Sequence, residues 1–168
     1  MKRLILKFGG TSVGNIDKIQ KVANLIKKKH NEGNEIIVVV SAISGFTDEL
    51  IKKSQLISKN FDLAEYDVLL SSGEQISSSL LAGALINLGM KARSWEGWQI
   101  PIITDENHSV SKIIKIRTEE ILSFISKKGI AVIAGFQGVS NKNRITTLGR
   151  GGSDLSAVAL AKFFQTDS

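Results

Sequence analysis

Apolar runs of strand length alternate along this chain with segments whose apolar residues recur every three or four positions, and that alternation restricts the fold more than any other feature. Arg3 to Phe8 is the first strand-length run, Ile36 to Val40 is continuous and β-branched, and Ile130 to Ala134 is wholly apolar. Between them, Ile16, Ile19, Val22, Ala23 and Ile26 keep a helical period, with Asn15 as its N-cap and Gly33 as its stop. Strands and helices taken in turn predict an α/β sandwich built on a mostly parallel sheet.

Later elements are read the same way. Phe46 and Ile51 bracket Thr47 as a hydrophobic staple would, and Asp48 and Glu49 suit the positive end of a helix, so Thr47 is read as an N-cap. Ser72 and Gln75 have capping-box spacing ahead of the stripe Ile76, Leu80, Leu81, Ala84 and Leu88, which places Glu74 in a first helical turn. Lys91 to Trp95, Ile102 to Thr104 and Ile113 to Ile116 are weaker strands, and Pro101 disfavours a central strand at its own position. Thr118 opens a helix through Ile125, and a last helix begins near Ser153 and runs to Phe164. No repeat, linker or low-complexity segment marks an internal boundary.

Composition narrows the function. The 168 residues, 42% hydrophobic and 23% charged, suit one domain with a real core. With no cysteine, neither a disulfide framework nor a thiolate metal site is available, which fits a reducing cytoplasm. Two histidines, His30 and His108, leave little for a zinc site. The apolar start is too short for a signal segment or a membrane span. The net charge is +6, yet Lys27, Lys28 and Lys29 form the only sizeable basic run, and a solvated helix face explains it better than a nucleic-acid partner.

Three polar signatures carry the chemistry. Lys7-Phe8-Gly9-Gly10-Thr11-Ser12 puts a cation and a flexible backbone where a strand ends, and Gly149-Arg150-Gly151-Gly152-Ser153-Asp154 does so where a helix starts. Both suit an anion such as phosphate. Neither is a Walker loop or a dinucleotide fingerprint. Ser71-Ser72-Gly73-Glu74-Gln75 adds a carboxylate able to hold an ammonium group. In an open α/β sheet, Gly9-Gly10, Ser41 to Gly45 and Gly135 to Gly138 should meet at the carboxyl ends of the strands. Simpler readings stay open: the glycines as turns, Lys7 and Arg150 as surface charges, and Thr47, Glu74, Ser153 or Asp154 as ordinary helix-start residues. Trp95, Trp98, His30 and His108 receive no role.

Together with Ser41-Ala42-Ile43-Ser44-Gly45-Phe46-Thr47-Asp48, Gly135-Phe136-Gln137-Gly138 and Thr146-Thr147-Leu148, these blocks closely resemble aspartate kinase, of the amino-acid kinase superfamily. The resemblance implies a three-layer αβα sandwich of the carbamate kinase-like kind. It also implies phosphorylation of the side-chain carboxylate of L-aspartate by ATP, with Mg²⁺ carried by the nucleotide, on the route to lysine, threonine, methionine and diaminopimelate.

Carried over by motif, Lys7, Phe8, Gly9, Gly10, Ser41 and Ser153 would bind ATP phosphates. Thr47, Glu74, Arg150, Gly151, Gly152, Ser153 and Asp154 would bind the substrate, and Lys7 and Asp154 would be catalytic. The acceptor is already ionised at neutral pH, so no general base is required.

Leu155 stands where the family often has threonine, which puts that one contact in doubt. In length, the chain corresponds to the N-terminal, aspartate-binding portion of the kinase domain, C-terminally truncated. The nucleotide-binding remainder and ACT regulatory domains lie outside it, so weak ATP binding and little turnover are expected of the 168 residues. Exposed edges would favour a homo-oligomer or the missing C-terminal half as partner. The alternatives are a kinase of the same superfamily acting on another acceptor and a non-catalytic aspartate-binding or partner-binding module.

Overall fold

Alternate side chains of one central strand divide between two apolar cores, and this division organises the molecule. The computed structural model describes residues 2–167. Its first half holds β1 (Arg3–Phe8), α1 (Ile16–Asn31), β2 (Glu35–Val40), α2 (Phe46–Ile57), α3 (Leu63–Asn87) and β3 (Ala92–Trp95). The second half holds β4 (Ile102–Thr104), β5 (Ile113–Ile116), α4 (Glu119–Ser126), β6 (Ile130–Ala134), β7 (Gln137–Ser140), β8 (Ile145–Thr147) and α5 (Gly152–Phe164).

Strands β1, β2, β6 and β3 pair in the order β1-β2-β6-β3, all parallel. Ile36, Val38 and Val40 of β2 pack with Ile19, Ala23 and Ile26 of α1 and with Leu81 and Leu85 of α3. Ile37 and Val39 pack on the opposite face with Ile121 and Ile125 of α4 and Leu160 and Phe164 of α5. Period two in the strand thus fills two layers at once, which is why β2 and β6 read as unbroken apolar runs. The result is the expected three-layer αβα sandwich.

A second, mixed sheet of order β5-β4-β7-β8 joins this framework. Its strands β4 and β7 are parallel, while β5 and β8 pair antiparallel at the two sides. Sequence reasoning missed β7 and β8, because each is three or four residues long and carries polar or small side chains such as Gln137, Gly138, Ser140 and Thr146. Among the described residues, no helix is long and apolar enough to cross a membrane.

Two helix starts differ from the sequence reading. Helix α3 begins at Leu63, capped by Asp62, whose Oδ1 accepts the Ala64 and Glu65 N–H groups at 2.9 and 3.0 Å. Glu74 therefore lies in the middle of a 25-residue helix and not in a first turn. The serines that suggested a cap return their hydroxyls to the helix, Ser71 to Val68 O and Ser72 to Leu69 O. Helix α2 is preceded by Gly45 at φ 84° with no side-chain cap, so Thr47 sits inside the first turn. Helix α5 starts at Gly152, beside the expected start near Ser153; it too is preceded by a glycine, Gly151 at φ 72°, so Ser153 and Asp154 do not cap it.

Candidate active site

The parallel register aligns Phe8, Val40 and Ala134 at the carboxyl ends of three adjacent strands. The loops that follow are in direct contact. Ser44 N donates to Gly10 O at 3.3 Å and Gly135 N to Val40 O at 3.0 Å. Gly10 is required by this packing, since a Cβ there would lie 2.5 Å from Ala42 O. The predicted convergence of the glycine loops is what the structure shows.

A cleft of about 670 Å³ opens at this end. Of the residues singled out from sequence, Lys7, Ser41, Thr47, Glu74, Arg150, Gly151, Gly152, Ser153 and Asp154 line it. Phe8, Gly9 and Gly10 do not. Phe8 packs on the α1 side of the sheet, Gly10 lies under the loop after β2, and the space beyond Gly9 is taken by the Lys7 ammonium, 3.5 Å from where its Cβ would stand.

Lys7 owes its position to strand alternation. Leu4, Leu6 and Phe8 face the α1 layer and Ile5 the other, so Lys7 points with Ile5 toward the start of α5. There its Nζ meets Asp154 Oδ1 at 2.9 Å. The Asp154 side chain is 69% exposed, so this pair adds less than about 1 kcal/mol and its effect is to aim the amine. Arg150 is exposed at the cleft and enters no ion pair among the described residues. Gly152 lets α5 approach, since a Cβ would stand 2.6 Å from the Phe136 ring.

Glu74 supplies the opposing charge. It is 4% exposed; Oε1 accepts the Ala42 N–H at 3.0 Å, and Oε2 is buried without a partner among the described residues. Burial raises its carboxyl to about 7, opposed by the bond from Ala42 and reinforced by the neighbouring Glu96. A ligand ammonium would satisfy the orphan oxygen and favour the ionised form.

Sequence reasoning missed a buried latch at the rim. Asp67 of α3 is fully buried and receives Ser109 N at 3.0 Å, His108 Nδ1 at 2.7 Å and Thr147 Oγ1 at 2.5 Å. These bonds hold the loop between β4 and β5, which brings Ser109 and Val110 to the cleft, and they hold β8, which brings Thr147. Tyr66, the adjacent lining residue, has its hydroxyl pushed above the usual phenol range by burial and by Asp67. An aspartate on a helix with no motif around it carries no sequence signal of such a role.

The arrangement offers two cations at the start of one helix and a buried carboxylate across from them, which suits a ligand carrying both anionic and ammonium groups. A model of the amino acid kinase family matches residues 2–168. The chain belongs to the amino acid kinase family. This family member is similar to the aspartokinase of Rickettsia conorii, 47% identical over 170 residues that cover 99% of the chain and 42% of the relative. The crystal structure of aspartate kinase from Synechocystis superposes with a TM-score of 0.86 at 43% identity, covering 98% of the chain and 27% of that one. E. coli aspartokinase III in complex with aspartate and ADP shares the fold, with a TM-score of 0.83 at 22% identity over 99% of the chain and 47% of that protein. The chain thus spans about two fifths of the length of the curated relatives it matches.

Proposed function

We propose that the chain carries the acceptor side of an aspartate kinase, which moves the γ-phosphoryl group of ATP to the side-chain carboxylate of L-aspartate to give 4-phospho-L-aspartate and ADP. The observation that carries this reading is that one cleft is lined by Glu74, whose Oε2 has no partner among the described residues, by Arg150, which enters no ion pair among them, and by the Lys7–Asp154 pair. Glu74 would take the substrate ammonium, Arg150 a substrate carboxylate through its planar fork, and Thr47 a further polar contact. The similarity to aspartokinases and the aspartate and ADP held by the E. coli fold relative support the assignment.

In this reading the acceptor oxygen attacks phosphorus, the bond from phosphorus to the ADP oxygen breaks, and no proton has to be removed. Two anions approach each other, so the work is positioning and charge neutralisation. Lys7, aimed by Asp154, would offset charge on the transferring group, with Ser41, Ser153 and the backbone of Gly151 and Gly152 contributing polar groups around it; Phe8, Gly9 and Gly10 would serve from outside the cleft by fixing that strand end and the loop after it. Among the described residues, no group of three or more His, Cys, Asp or Glu side chains could hold a metal ion. A magnesium ion would arrive on the nucleotide, which is the form in which phosphoryl donors carry it. The adenosine end would be held by a nucleotide-binding region beyond these residues. We place the reaction in the cytoplasm, as the first step toward lysine and its related amino acids.

Calorimetric titration with L-aspartate, succinate and L-asparagine tests the reading. L-aspartate should bind 1:1, and succinate, lacking the ammonium, should bind at least about tenfold more weakly, the value of one charge-assisted hydrogen bond. Equal affinity for succinate and L-aspartate would remove Glu74 from the role and the substrate with it.

A further inference from the structure

A second, half-buried carboxyl stands near Glu74 without lining the cleft. Glu96, in the loop after β3, has Oε1 3.2 Å from Ser78 Oγ, and its Oε2 is buried with no partner. Ser78 follows Glu74 by four residues, so the two share one face of α3 and Glu96 reaches within a helical turn of Glu74. From the other side, Gln137 of β7 donates Nε2 to Ser71 O at 3.0 Å, which leaves its Oε1 buried and unpartnered. The loop is pressed against β7 at Gly97, where a Cβ would lie 2.6 Å from Gln137 O.

The hydrogen-bond accounting around this cluster is short of donors. Glu74 Oε2, Glu96 Oε2 and Gln137 Oε1 are three buried acceptors with no donor among the described residues. Ser78 Oγ lies 3.0 Å from Gln75 O and 3.2 Å from Glu96 Oε1, and its one hydroxyl proton serves only one of them. Two adjacent ionised carboxylates would also repel each other in a poorly solvated space. A proton on one carboxyl relieves both problems, since an acid O–H is a donor.

We propose that Glu96 is a positioning residue acting through Glu74: the two carboxyls hold one proton between them, on Glu74 in the free protein and on Glu96 once a ligand ammonium occupies Glu74. This rests on the reading of Glu74 as the ammonium site. The proton leaves a Glu74 oxygen for a Glu96 oxygen, so the pair carries one negative charge before and after. Ligand binding then replaces a neutral acid with an ion pair at Glu74 without placing a second negative charge beside it. Burial pushes the Glu96 carboxyl upward as it does that of Glu74, with the Ser78 contact opposing, so Glu96 is suited to keep the proton. The other charged or titratable groups lining the cleft with Glu74 are Lys7 of β1, Asp48 of α2, Tyr66 of α3, and Arg150 and Asp154 at α5. All of them remain when Glu96 alone is changed.

Carboxyl ¹³C NMR of the 168-residue chain tests this, with Glu74 assigned through Glu74→Gln and folding checked by the amide spectrum. In the wild type, Glu74 should titrate near neutrality in steps coupled to Glu96. In Glu96→Gln and in Glu96→Ser its titration should move down by about half a pH unit or more. Saturation with L-aspartate at pH 6 should shift the Glu74 carbon to its ionised position and the Glu96 carbon to its protonated one. An uncoupled wild-type titration, or a Glu74 titration unmoved in the variants, overturns the role of Glu96 even if L-aspartate binds. Coupled titration without any L-aspartate binding overturns the ammonium-site reading and the proton move, and leaves only the shared proton of the free pair.

Discussion

At the scale of single residues, Glu74 makes the largest energetic demand. Its carboxyl moves from the ordinary 4.5 to about 7, chiefly because a 4% exposed group is poorly solvated when charged. The folded state holds this proton more tightly than the unfolded chain does, so the associated stability is complete below pH 4.5 and is lost as pH rises through about 7. The wild type should therefore lose stability over that window relative to Glu74→Gln, by on the order of 3 kcal/mol at full shift. Urea unfolding of both proteins at pH 4.5 and pH 8 measures it, and parallel behaviour would contradict the assignment. In the proposed reaction, the demand on Lys7 is kinetic instead. In an active protein containing this chain, Lys7→Ala should lower kcat by roughly a hundredfold, the size expected for one preorganised charge on a developing anion. A normal kcat with a raised KM would reject that role.

At the scale of elements, α3 links the site to the fold. Its cap at Asp62 should contribute about 1 kcal/mol, so Asp62→Ala is expected to lower the thermal midpoint modestly and leave L-aspartate affinity unchanged. Asp67, one turn further on, anchors the rim loop through the Ser109 N–H and the side chains of His108 and Thr147. Asp67→Ala should cost about 2–4 kcal/mol by stranding those donors, and hydrogen exchange should rise first in residues 105–111; unchanged protection there would show that the loop is held by something else. These features also mark what was legible in sequence. Strands β1, β2 and β6 are buried on both faces and announce themselves by apolar runs, and Asn15 caps α1 as its spacing indicates, accepting Lys18 N at 2.9 Å. The start of α3 was hidden because capping-type serines lie inside it, their hydroxyls satisfied by the preceding turn. Strands β7 and β8 were hidden because pairing, such as Gln137 with Thr147, and not apolar content makes them strands. At the site, motif spacing singled out Lys7, Glu74 and Arg150, whereas Tyr66 reaches the cleft with no motif around it, and Asp67 and Glu96 are placed by contacts distant in sequence.

At the scale of the whole molecule, the parallel sheet with its two apolar cores forms the floor, and the cleft draws its walls from α2, α3, α5 and the rim of the mixed sheet. If the adenosine end of the nucleotide is held beyond these residues, the 168-residue chain should bind L-aspartate yet show little L-aspartate-dependent ADP release. Robust turnover would overturn that division of labour. The central claim is that residues from β1, α3 and the start of α5 form one receptor for a small acidic amino acid. Mapping amide shifts of the 168-residue chain during titration with L-aspartate tests it most directly. The account predicts saturable shifts concentrated at Lys7, Glu74 and residues 149–154, reduced together in Glu74→Gln and in Arg150→Ala. Shifts confined to other surfaces, or none at saturating L-aspartate, would contradict it.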